Sequence, residues 1–218
     1  MKSHSQQAAN RFDQWADSYS EDRISSWFTF YQSIAMSKLN LTEGQGFLDV
    51  GCGTGWAVRK AAKQLKFGKS CGIDISTKMI ENALAQTPDA ENQNIEFQVG
   101  NSEAIPYPDE SFSSIICTFS IHHYQNPVRA LSEMKRVLKQ DGSIVILDSA
   151  RDVSFAIWLQ DRGRRYFEES HVKYYTTKEM KALVTEAQLK IFGDIITINK
   201  FMDHKKVFTG LMLLKCRK

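Results

Sequence analysis

Residues 46–55 read Gly-Phe-Leu-Asp-Val-Gly-Cys-Gly-Thr-Gly, a short apolar strand that runs straight into a turn with glycine at 51, 53 and 55. Glycine accepts φ > 0 and carries no Cβ, so such a turn bends sharply and leaves room for a ligand against the backbone. The residues that follow place Trp56, Ala57, Val58, Ala61, Ala62 and Leu65 at helical spacing. A helix there aims its N-terminus and unpaired N–H groups at the same spot. Strand, glycine turn and helix in that order predict a doubly wound α/β protein with a nucleotide at the turn.

The spacing departs from the dinucleotide fingerprint G-x-G-x-x-G, because the third glycine falls at 55 and position 56 is tryptophan. Asp49, inside the strand, would repel a phosphate and instead suits an ammonium group. A second apolar strand, Ser-Cys-Gly-Ile-Asp-Ile at 70–75, carries Asp74 about 20 residues beyond the turn, where a carboxylate can accept both hydroxyls of a ribose. The ligand these residues describe has a ribose and a positive end.

Five motifs in order, FLDVGCGTG (47–55), GIDIS (72–76), GNSEAIPYPDESF (100–112), SIICTFSIHHY (114–124) and LKQDGSIVILD (138–148), resemble the class I S-adenosylmethionine-dependent methyltransferases over roughly residues 8–150. Within that family the chain is most similar to the small-molecule branch that includes the ubiquinone and menaquinone biosynthesis methyltransferases. The resemblance implies a Rossmann-like, seven-stranded, mostly parallel sheet with the last strand antiparallel, helices on both faces and an N-terminal helical lid. It implies S-adenosylmethionine as cofactor. Gly51, Cys52 and Gly53 would lie under its methionine part, Asp49 near its amino group and Asp74 on its ribose, with Ile75 and Met79 against the adenine. Asn101 and Ser102 stand where the family has an acidic residue and a small one, so the adenine edge would meet an amide, which both donates and accepts. Phe119 would border the sulfonium, and Tyr19, ending the Trp-Ala-Asp-Ser-Tyr segment, would lie over the cofactor.

At 218 residues the chain suits one domain. Its expected parts are a lid at 1–42, a cofactor-binding core at 43–150, an acceptor-side insertion at 151–175 and a C-terminal helix with a hairpin at 176–218. Lysine and arginine total 28 against 25 acids, so no strong field selects nucleic acid or an anionic membrane. Cys52, Cys71, Cys117 and Cys216 form no C-x-x-C pair and read as buried thiols in a reducing cytoplasm. No apolar run is long enough to span a bilayer. Oligomeric state is left open.

Ala8, Ala9, Phe12, Trp15, Ala16 and Tyr19 share a helical face, and Ile24 to Leu39 form a second amphipathic helix. Strands near 46–50, 70–74, 95–99, 114–119 and 142–147 alternate with helices near 54–66, 77–86 and 127–139, which means crossover connections and a parallel sheet. Asn126 caps the last of these helices, Pro127 opens it and Asp141-Gly142 is its expected stop. Thr176 and Glu179 form a capping box, ahead of strands near 191–198 and 207–215.

Methyl transfer from a sulfonium is an in-line displacement with a neutral leaving group, so alignment and desolvation supply most of the acceleration. A carbon or oxygen acid acceptor must also lose a proton. His122 and His123 are the candidate catalytic residues. His171, Tyr174 and Tyr175 read as surface loop, and Arg162 to Arg165 as a solvated helix face. Thr118-Phe119-Ser120-Ile121 stands where amino-methylating nucleic-acid enzymes of this class carry Asp/Asn-Pro-Pro-Tyr/Phe, which argues for a small-molecule acceptor. Two other readings stay open: an accessory protein that binds S-adenosylmethionine without turnover, and a nicotinamide-dependent oxidoreductase.

Overall fold

The computed structural model describes residues 3–19, 25–87, 94–168, 170–202 and 207–218. Its elements run α1 (His4–Tyr19), α2 (Ser25–Met36), β1 (Phe47–Val50), α3 (Trp56–Leu65), β2 (Ser70–Asp74), α4 (Thr77–Ala85), β3 (Ile95–Val99), β4 (Phe112–Thr118), α5 (Pro127–Val137), β5 (Leu138–Ser149), α6 (Phe155–Phe167), α7 (Thr177–Glu186), β6 (Lys190–Ile191), β7 (Ile196–Met202) and β8 (Val207–Arg217). A 3₁₀ turn at Ile121–His123 follows β4.

The sheet order is β3-β2-β1-β4-β5-β8-β6, with β7 also on β8. The first five strands pair in parallel, and β8 runs antiparallel to β5. This is the expected topology. It has eight strands because the segment expected as one strand over 191–198 is two pieces, β6 and β7, broken around Gly193, whose φ is +81°. The order reverses between β1 and β4, so the C-terminal ends of β1, β2 and β4 surround the crevice where open α/β sheets bind ligands.

Alternation along β1 divides the core in two. Leu48 and Val50 face α5 and α7 in a cluster with Ile115, Leu131, Met134, Met180 and Leu214. Phe47 faces α2 and α3, packing with Trp27, Tyr31, Ala57, Val58 and Ala61. Asp49 lies on that second side and is fully buried.

The capping residues form as read. Asn126 accepts from the Arg129 N–H, and Thr176 with Glu179 makes both bonds of the capping box. α5 nevertheless ends at Val137, before the expected stop, and β5 begins at Leu138. Residues 139–142 form an irregularity between the Phe112–Leu138 and Ser114–Ser143 pairings.

Candidate functional site

A cleft of about 960 Å³, counted out to its open mouth, lies over these strand ends. Its floor is Gly51, Cys52, Gly53, Ile73, Asp74 and Ile75, with Met79, Asn101 and Ser102 along one side. Phe12 and Trp15 of α1, with Phe28 and Gln32 of α2, supply the roof. The expected lid is therefore in place. α1 is tied down by Ser76 Oγ donating to Asp13 Oδ1 at 2.6 Å and by Asn82 Nδ2 donating to the Ala16 carbonyl at 2.9 Å. α2 is tied by Gln32 Nε2 donating to Thr118 Oγ1 at 3.0 Å. Tyr19 ends α1, but its side chain lies outside the described residues, as does Ile24.

The three turn glycines are needed for three different reasons, and ligand space explains only one of them. All have positive φ. A Cβ on Gly51 would fall on the Ser120 side chain, and one on Gly55 would fall on the Phe97 ring. A Cβ on Gly53 would meet nothing within 4 Å, so this is the position that keeps ligand space open. The turn's amides are largely used within the protein: Gly51 and Cys52 N–H donate to the Ile73 carbonyl at 2.8 and 2.9 Å. Gly53 N–H donates to Asp74 Oδ2 and Ser76 N–H to Asp74 Oδ1, both at 2.9 Å. A carboxylate offers about four acceptor sites, so Asp74 keeps capacity for ribose hydroxyls.

Asp49 does not line the cleft; it sits beneath the turn. Both of its carboxylate oxygens are buried without a hydrogen-bond partner among the described residues. Burial, reinforced by Asp74, pushes its pKa up to about 8. A buried orphan carboxylate beneath the turn calls for a cationic or donor group. The ammonium end of S-adenosylmethionine has that chemistry, and the residues present fit the cofactor. Asn101 uses its Oδ1 to accept from the Glu103 N–H at 2.9 Å, which leaves its Nδ2 for the cleft.

Phe119, the residue after β4, has φ +52°, a sparsely populated conformation for a side chain of its size. Its amide is held by the Leu147 carbonyl at 2.8 Å. Its ring packs 5.0 Å from Trp27 and 4.9 Å from Phe28, so the strained residue is also where the roof docks.

The two candidate histidines part company. His123 lines the cleft, under the edge of Phe12 at 4.9 Å between ring centroids. His122 is buried behind it, with Nδ1 2.7 Å from Asp148 Oδ1. Burial, then His171 and Arg164, hold the His122 imidazole well below the usual histidine range; burial, then His122, does the same to His123, and burial raises Asp148 to about 7.

The loop after α6 is a correction to the expectation. His171, Tyr174 and Tyr175 are buried and not surface. His171 Nε2 sits 3.0 Å from Asp161 Oδ1, and Tyr174 packs 4.8 Å from the His122 ring. Arg164 and Arg165 are engaged with Glu168 and Asp161, so the arginine cluster is partly structural. Sequence reading missed His4, whose Nε2 lies 2.9 Å from the His123 carbonyl, and the Asp148 partner of His122. The one available signal was Asp148 at the end of the fifth strand, facing the His-His pair across the β4–β5 register.

Residues 48–146 match the family described as methyltransferase domain, which bears out the resemblance carried by the motifs. The chain is 30% identical over 143 residues to the uncharacterized methyltransferase YcgJ of Bacillus subtilis, covering 65% of this chain and 56% of that protein. It is 29% identical over 146 residues to a demethylmenaquinone methyltransferase of Listeria monocytogenes, covering 64% and 61%. The chain thus matches less than two thirds of the length of these relatives. Its fold superposes with TM-score 0.80 at 18% identity on a chain of the complex between the Haloferax volcanii Trm112 methyltransferase activator and a methyltransferase, covering 94% and 96%. Among the described residues no helix is long and apolar enough to cross a membrane.

Proposed function

Because residues 48–146 belong to the methyltransferase-domain family, within the class I S-adenosylmethionine-dependent enzymes, we propose that the whole chain transfers a methyl group from S-adenosylmethionine to a small molecule, acting as one unit in a reducing cytoplasm. The observation that carries this reading is the pair of buried carboxylates at adjacent strand ends: Asp49 without a partner, and Asp74 bonded to the turn with acceptor capacity to spare. Asp74 accepts from the Gly53 N–H, where space is open. Four free, buried cysteines fit the compartment.

S-adenosylmethionine supplies a methyl group on a positively charged sulfur. The chain's own residues bind, orient and exclude water. Asp49 attracts the amino end from beneath the turn, Asp74 receives the ribose, Ile75 and Met79 the adenine faces, and Asn101 and Ser102 its edge. Phe119 and Ser120 border the reacting centre, and the aromatic roof keeps it dry, which aligns and desolvates the nucleophile. Phe12, Trp15 and Phe28 favour an acceptor with a flat apolar body, a class to which the name of the Listeria relative also points. Of the expected histidine pair, His123 faces that acceptor, and His122, against Asp148, holds the wall behind it.

Calorimetric titration with S-adenosylhomocysteine and with NAD tests the reading. We expect saturable binding of the first and none of the second. Tight NAD binding without a response to S-adenosylhomocysteine overturns it. Methylation across a panel of quinone-like, phenolic and amine acceptors then separates an enzyme from a non-catalytic binding protein.

A further inference from the structure

His122 and His123, in the turn after β4, and His171, in the loop after α6, each offer one ring nitrogen, and these nitrogens all lie within 4.8 Å of one another. We propose that the three imidazoles hold a divalent transition-metal ion of the zinc class, with a fourth position opening into the cleft beside His123.

Each ring is anchored through its other nitrogen, which is how proteins orient metal-binding histidines. His122 Nδ1 is 2.7 Å from Asp148 Oδ1, His123 Nδ1 is 2.8 Å from the Ser170 carbonyl, and His171 Nε2 is 3.0 Å from Asp161 Oδ1. These bonds place the ring protons on the anchored side and leave lone pairs on His122 Nε2, His123 Nε2 and His171 Nδ1. His171 Nδ1 is the telling atom. It is buried with no hydrogen-bond partner among the described residues, although its side chain is wholly enclosed. Aromatic packing against Tyr174 explains why the ring is buried but not why a polar nitrogen is left unpaired.

Geometry and charge agree with an ion. Tetrahedral zinc with bonds of about 2.0–2.1 Å sets its ligand nitrogens about 3.3 Å apart, so the widest pair closes by at most about 1.5 Å through side-chain rotation. Asp148 stands behind His122, where a bound dication would favour its ionised form, and Asp161, already paired with Arg165, stands behind His171. An all-imidazole set suits zinc and its transition-metal neighbours, and three protein ligands with one open position is the pattern of a reactive centre, not a structural one. His123 lines the cleft and gives the ion its route in. An acceptor hydroxyl or thiol at the fourth position would lose its proton to solvent more readily and keep the electron pair that forms the new bond to the methyl carbon as the methyl–sulfur bond breaks and the sulfur leaves neutral. That consequence rests on the methyl-transfer reading; the ion site does not.

The test is titration of the full chain, stripped with a chelator and dialysed, using ZnCl₂ by calorimetry and CoCl₂ by visible absorption. One equivalent should bind with a Kd of about 1 μM or tighter, and cobalt should show intense visible bands. His171→Ala and His123→Ala should each weaken binding at least about 100-fold. Asp161→Asn, which touches no ion, should weaken it about 10- to 100-fold. Because His171→Ala removes a core ring, circular dichroism accompanies it, and His123→Ala at the cleft surface carries the test if the other does not fold. The proposal is overturned if the wild-type protein shows no saturable one-to-one binding, or if binding survives the histidine substitutions that fold. S-adenosylhomocysteine titrated into the metal-free protein reports the cofactor site separately, so failure of one reading is distinguishable from failure of the other.

Discussion

The two halves of the cleft are built on opposite plans. The half over β1 and β2 is made by one short stretch of chain: a glycine turn, the carbonyl of Ile73 and the side-chain carboxylates of Asp49 and Asp74, all within 26 consecutive residues, 49–74. The half beyond β4 is made by side chains from distant segments. His123 meets Phe12 of α1 and the carbonyl of Ser170, and His122 meets Asp148 and Tyr174. A site written in one contiguous stretch keeps its geometry when distant segments change. A site assembled from distant side chains can be re-cut for a new ligand by changing a few residues, so the two halves need not change together.

One substitution in each half, read in both binding and turnover, separates the two. His123→Ala should lower kcat with the preferred acceptor by about 100-fold or more, while the Kd for S-adenosylhomocysteine stays within about threefold. Equal losses in both would mean that the halves are not separable. Asp74→Ala should do the reverse, weakening S-adenosylhomocysteine at least tenfold, about 1.4 kcal/mol, in calorimetry. An unchanged affinity would place the ribose elsewhere.

A finer division lies inside the glycine turn. Gly51→Ala should cost about 2 kcal/mol of stability in urea unfolding, because its Cβ falls on Ser120 at a positive φ. Gly53→Ala should cost about 1 kcal/mol from backbone strain alone and yet should weaken S-adenosylhomocysteine more than it weakens the fold. If both substitutions act only on stability, Gly53 does not keep ligand space open.

A last effect concerns Asp49. Its folded pKa of about 8 lies above the usual carboxylate value, so between those two values the native state binds more protons than the unfolded state. Stability of the ligand-free protein should therefore fall as pH rises from about 4 towards 8. Bound S-adenosylhomocysteine, whose ammonium faces the ionised form, should offset that fall. Melting temperatures at pH 5.5 and 8, with and without ligand, check it, and Asp49→Asn should flatten the ligand-free slope.

The parts legible in the sequence are those written in local patterns. Strand and helix alternation, the caps at Asn126 and Thr176, the lid faces and the turn could be read because each depends on neighbours a few residues away. The reason for Gly51 was not legible, because Ser120 is brought against it only by β1–β4 pairing. Nor was the burial of His171. Its segment is polar and short, and only the return of the chain from α6 onto the turn after β4 encloses it, with Val172 and Lys173 N–H donating to the His122 carbonyl at 3.0 and 3.3 Å. The break between β6 and β7 was signalled by Gly193, although the run around it reads as continuous apolar strand.

The aromatic roof has a practical consequence. Of the chain's four tryptophans, Trp15 lines the cleft, and Trp27 packs against the strained Phe119 just past β4. Intrinsic fluorescence should therefore respond when the cleft fills, and the protein carries its own optical gauge of occupancy without any dye or label.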